Sequence, residues 1–107
     1  MSTFSAKFKQ SPVETKRYVL DFTLQLTTGE SISSVAFSVA QIAGATSPAL
    51  AVTGVALLPA VAGVVYGAAY FVSGGVNAGV YEVTFLATTS IGQILEDVVQ
   101  YTLLEKT

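Results

Sequence analysis

The 107-residue sequence has no cysteine, no histidine and no tryptophan, and a single methionine. Without thiols no disulfide braces the fold, and without thiol or imidazole the usual nucleophile, general base and zinc ligands are missing. No catalytic residue, cofactor or metal ligand suggests itself, and the chain is not expected to be an enzyme. Stability must come from packing or from assembly with other chains. Charge is scarce as well: five basic and seven acidic side chains leave a net −2, with no long run of either sign. That composition offers no nucleic-acid groove and no patch for an anionic membrane. The opening MSTFSAKFKQ does not read as a secretory signal, because Lys7 and Lys9 interrupt the place where an apolar core would lie.

What charge there is sits at the two ends. Seven charged residues fall within positions 7–30 and five within 82–106, and the 51 positions 31–81 carry none. Inside that neutral middle, PALAVTGVALLPAVAGVVYGAAYFV (48–72) is long and apolar enough to be weighed as a membrane span. Against a span stand Pro59 at its midpoint, Gly54, Gly63 and Gly67 along it, only three leucines, and no basic residue just outside either end. Cut at its own turn residues, the stretch instead yields two β-strands of ordinary length, 50–58 and 63–72.

The flanks alternate with the two-residue period of strands. KRYVLDFTL puts Tyr18, Leu20, Phe22 and Leu24 on one face and Val19, Asp21 and Thr23 on the other. SISSVAFSV sets Val35, Phe37 and Val39 against Ser34, Ala36 and Ser38, and VYEVTFLAT sets Tyr81, Val83, Phe85 and Ala87 against Glu82, Thr84, Leu86 and Thr88. The last segment, 93–105, has apolar spacing that suits a helix or a strand. The short Thr-Thr-Ser-Ile-Gly connection before it favours a closing strand, with Gly92 at the turn. Six to seven antiparallel strands with a turn signal about every ten residues point to an all-β, immunoglobulin-like β-sandwich. One domain over 14–107, preceded by an N-terminal arm over 1–13, accounts for the chain.

Within SGGVNAGVYEV, Gly79 and Tyr81 sit where a tyrosine corner would begin the penultimate strand, its ring in the core and its hydroxyl bonded back to the backbone. Gly74, Gly75 and Gly92 read as turn formers; with no following lysine or helix, they make no phosphate loop. Glu96 and Asp97 are the only adjacent carboxylates. A strand would aim them at opposite faces, so both read as solvated surface charges. Phe4 and Phe8 alternate in the polar arm, which suits an added strand docking on a partner.

The order KQSPVETKRYVLDF, LTTGESISS and SGGVNAGVYEVTFLATTSIGQ resembles a family of small bacteriophage Ig-like tail proteins of the fibre-tail adaptor type. Lys9, Pro12, Glu14, Tyr18, Asp21, Phe22, Gly29, Glu30, Ile32, Ser33 and Ser34 carry the first part of the likeness. Ser73, Gly74, Gly75, Gly79, Tyr81, Thr88, Thr89, Ser90 and Gly92 carry the second. The apolar middle with Pro59 departs from the family's pattern.

The resemblance implies a structural virion protein: an adaptor joining tail fibres to the tail tube or baseplate, assembled in the host cytoplasm. Its partners would be other tail proteins and further copies of itself in a symmetric ring, with neither nucleic acid nor membrane as a partner. Asp21, Gly74, Gly75, Gly79, Tyr81 and Gly92 would be its structural motif. Two further readings are a small membrane protein spanning 48–72 and a head-tail neck or surface-binding Ig-like module.

Overall fold

The computed structural model describes residues 6–44 and 49–104. These form seven β-strands and a short 3-10 turn, in the order β1 (Ala6–Gln10), β2 (Thr15–Asp21), the turn Thr23–Gln25, β3 (Ile32–Ala43), β4 (Leu50–Leu57), β5 (Gly67–Gly74), β6 (Val80–Thr89) and β7 (Ile94–Leu103). They make two sheets, one of four strands ordered β1-β7-β6-β3 and one of three ordered β2-β5-β4. All pairings are antiparallel except that of β1 with β7. The chain is thus an all-β sandwich, and its last segment is a strand. Among the described residues no helix is long and apolar enough to cross a membrane. Described residues of the apolar middle form β4 and β5, with a turn closed between Val61 and Val64.

Alternation puts one face of each inner strand into the core. From the larger sheet come Tyr81, Val83, Phe85 and Ala87 of β6 with Val99, Tyr101 and Leu103 of β7. Opposite them lie Leu20 of β2, Leu50 and Val52 of β4, and Tyr70 and Val72 of β5. Small residues along β5 let the backbones close up: a Cβ on Gly67 would lie 1.9 Å from the Leu20 carbonyl oxygen.

Four local expectations differ from the fold. Leu24 does not continue the inward face of β2. The Asp21 carboxylate accepts the Thr23 N–H at 2.9 Å and turns the chain into the 3-10 segment, leaving Leu24 fully exposed. β5 starts at Gly67, because residues 61–64 are spent on the preceding turn. Residues 6–10 are an edge strand of the chain's own sheet rather than part of a free arm, held by the register Ala6 to Val99 through Gln10 to Leu103. Finally, Phe37 and Val39 lie opposite Phe85 and Val83 and so point inward, yet both stay partly exposed. The facing sheet has only three strands, and although its edge strand β4 comes close to β3, it leaves these two side chains partly open.

Candidate interaction surfaces

Tyr81 is buried at the start of β6, and its hydroxyl accepts the Val76 N–H at 3.0 Å. Gly79 makes room for it: a Cβ there would come within 2.9 Å of the Tyr81 ring and 2.7 Å of the Val76 side chain. Gly74 and Gly75 end β5, and Gly92 closes the β6–β7 turn with its N–H donating to the Thr89 carbonyl at 3.0 Å. Just before the 3-10 turn the Asp21 carboxylate accepts from Thr23; the Thr23 hydroxyl, then the Thr23 N–H, hold its carboxyl below the ordinary range. These residues shape connections at both ends of the sandwich and are not gathered into one site. Phe8 lies in β1, its ring 4.8 Å from Tyr18 and 5.7 Å from Tyr101. Phe4 lies outside the described residues.

An aromatic layer joins the two sheets beneath β1. The Tyr70 and Tyr101 hydroxyls are 2.5 Å apart, and Tyr18 donates to the Gln10 side-chain oxygen at 2.8 Å. The same buried Gln10 donates to the carbonyls of Val72 and Glu14, at 2.8 and 3.0 Å, tying β1 to the facing sheet. Burial raises all three tyrosines above their ordinary value, Tyr70 to about 12. Such rings are suited to holding layers together, and proton transfer near neutral pH is not open to them.

Two carboxylates were harder to read from the sequence. Glu96 is exposed beside Leu86, whereas Asp97 pairs with Phe85 on the inward face, where its Oδ1 is buried with no hydrogen-bond partner. Asp97 is thus only half-solvated: strand alternation turns it to the side opposite Glu96, where one of its two carboxylate oxygens is buried. Glu30 is also buried. Its Oε1 accepts the Thr27 N–H at 2.9 Å, and Thr89, then the Thr27 N–H, lower its pKa despite its burial. Among the described residues no three acidic groups gather to hold a metal ion.

The outer surface is more telling. The connections after β2, β4 and β6 meet at one end of the sandwich: Ile32 N–H donates to the Val65 carbonyl, Ser90 N–H to the Ser31 carbonyl and Phe22 N–H to the Tyr66 carbonyl. On these connections, or just past them, Leu24, Val61, Ile91 and Ile94 are exposed by 101%, 63%, 63% and 67%. Loop tips are ordinarily polar, so four exposed aliphatic side chains on the connections at one end depart from the usual pattern. Nothing in the alternation rule singles these residues out; only the convergence of three separate connections makes them neighbours.

The two long flanks also differ. Every basic side chain of the described residues lies on β1 or β2, as Lys7, Lys9, Lys16 and Arg17. On the opposite flank β3 and β4 carry no charge at all.

A family model described as podophage GP4 fiber-tail adaptor protein gp77 matches residues 10–102. No curated protein and no solved structure matches the chain.

Proposed function

Since the chain belongs to the podophage GP4 fibre-tail adaptor family and is thus a structural component of a phage tail, we propose that it links tail fibres to the tail tube or baseplate by protein contacts alone. The observation that carries this reading is the aliphatic end of the sandwich, formed by Leu24, Val61, Ile91 and Ile94. Residues 18–104 contain no lysine or arginine, so this end suits an uncharged, apolar protein surface better than phosphate or an anionic bilayer. The sandwich supplies a stiff body behind it, as a part under load between fibre and tail requires.

The copies act together around the tail axis as a symmetric ring, assembled in the host cytoplasm before the fibres join. The domain comprises 14–107, and within the N-terminal arm of 1–13 residues 6–10 join its sheet as the edge strand β1. No catalytic step belongs to this role.

The test is assembly of virions without this protein, followed by addition of purified chain. Tails that form but lack fibres, and regain them with wild-type protein but not with a Leu24→Asp, Ile91→Asp variant, support the role. Fibres attached in its absence would overturn it.

A further inference from the structure

β7 is an inner strand for only half its length. β6 runs beside it from Ile94 to Thr102, whereas β1 meets it only from Val99 to Leu103. Among the described residues no strand lies beside 94–98 on that side, which leaves a notch about 16 Å long in the edge of the four-stranded sheet. The Leu103 N–H donates to the Gly79 carbonyl and the Leu103 carbonyl accepts the Ala78 N–H, so odd positions of β7 serve the side of β6. The Leu104 N–H donates to the Gln10 carbonyl, so even positions serve the side of β1. The register between β6 and β7 runs without a bulge, and the N–H and C=O groups of Ile94 and Glu96 therefore face the notch. Unpaired groups of this kind accept another strand. Asp97 stands in the same half-strand, turned to the inner face, and its buried Oδ1 has no hydrogen-bond partner. With Glu96 it gives 94–98 two negative charges and no basic residue.

We propose that an extended segment of the tail fibre adds to β7 in this notch, hydrogen-bonding to the backbone of Ile94 and Glu96 and setting a lysine or arginine beside Asp97. The backbone groups of the edge need main-chain partners in register, which an extended peptide supplies. The partnerless oxygen of Asp97, in a stretch of net negative charge, is matched by a cationic donor. β1 walls the notch at one end, and at the other it opens beside Ile94, one of the exposed aliphatic residues on which fibre attachment is expected to depend. One partner can therefore cover both the notch and the aliphatic end. The outer edges of the sandwich lack this combination: β3 and β4 carry no charge, and β1 and β2 would set lysine or arginine against a cationic strand. The inference rests on the tail role and names the form that its fibre contact takes.

The experiment mixes the full chain with fibres purified from the phage and follows binding together with amide hydrogen exchange. Slower exchange at Ile94 and Glu96 in the presence of fibres supports the strand addition. Glu96→Pro removes the N–H that faces the notch and leaves the ladder to β6 whole, since proline is tolerated where a strand edge is free; Glu96→Ala removes the charge and keeps that N–H. Glu96→Pro should lose fibre binding and Glu96→Ala should keep it, while Asp97→Val should bind about tenfold more weakly, the worth of a charge-assisted hydrogen bond. Circular dichroism checks that each variant folds, and the exchange measurement on the wild-type chain stands without them. Fibre binding that leaves exchange at Ile94 and Glu96 unchanged, or that Glu96→Pro retains as well as Glu96→Ala, overturns the strand addition and leaves the tail role intact. Exchange already slow at both amides in the chain alone overturns it too, because the chain itself would then fill the notch. A wild-type chain that binds no fibre, with fibres present on virions that lack it, overturns the tail role and this inference with it.

Discussion

The hydroxyl of Tyr70 on β5 lies 2.5 Å from that of Tyr101 on β7, a single hydrogen bond that joins the two sheets through the middle of the core. Either phenylalanine substitution strands the other hydroxyl in an apolar layer, which costs about 1–3 kcal/mol. Tyr70→Phe and Tyr101→Phe should each lower stability in urea unfolding by that order. The double variant should be less destabilised than the two changes summed, since it leaves no orphan. Additive losses would mean that the two hydroxyls do not depend on one another.

The same pair sets an alkaline limit. Burial pushes Tyr70 up to about 12, against an opposing contribution from its bond with Tyr101, and burial followed by the bond with Tyr70 raises Tyr101 as well. An unfolded tyrosine ionises near 10, so above that pH the unfolded chain has released protons that the folded chain still holds. The stabilisation is complete below pH 10 and is lost as the pH rises through about 12. Tyrosinate absorbance should therefore rise in two stages, the later one coincident with loss of the circular-dichroism signal for strand. A single early stage in the folded protein would contradict the buried pair.

Gly67 opens β5 beneath the Leu20 carbonyl, with 1.9 Å between that oxygen and the position a Cβ would take. The obstacle is backbone in the neighbouring strand, so no rotamer change relieves it. Gly67→Ala should cost ~3 kcal/mol, the upper part of the overpacking range, measured by chemical denaturation. Gly63→Ala meets nothing within 4 Å but sits at φ +80°, so its cost reports backbone strain alone, a cost that Gly67 does not carry.

Asp97 should be a liability to the fold. Its Oδ1 is buried without a partner opposite Phe85, and replacing an unsatisfied polar group by an apolar one of similar shape is neutral to favourable. Asp97→Val should raise stability by about 1 kcal/mol, read as a higher urea midpoint with an unchanged slope. A lower midpoint would show that the carboxylate has a partner that matters.

Glu30 also buries one oxygen, Oε2, without a hydrogen-bond partner, but its other contacts favour the charged form. Thr89, then the Thr27 N–H, lower its carboxyl pKa in the folded state. The unfolded chain takes up this proton first as the pH falls, so the stabilisation is present above the ordinary carboxylate value and disappears as the pH drops through the folded one. Glu30→Gln should flatten the acid limb of the stability profile relative to wild type. An identical acid limb would place the titration on other carboxylates.

Much of this was legible in the chain. The Tyr18, Leu20, Phe22 alternation, the VYEVTFLAT repeat and the glycine-bounded pieces of the apolar middle each announce a strand through local side-chain spacing. Leu24 shows where that signal stops, because one Asp21 to Thr23 hydrogen bond ends the strand without disturbing the apolar pattern. The aliphatic end was not legible, since Leu24, Val61, Ile91 and Ile94 come from three connections that only folding brings together.

By itself, then, the sequence determined an all-β chain without thiol, imidazole or concentrated charge, because composition and two-residue alternation are properties of neighbours along the chain. The tertiary structure alone decided that the Tyr70–Tyr101 pair bridges the two sheets, that one oxygen of Asp97 is buried, that β1 closes one edge in parallel with β7, and that β3 is the other edge of that sheet. Alternation says that a strand has two faces. Which face meets another layer, and which edge meets another strand, depends on sheet order and width, and those are set by contacts between residues far apart in the chain.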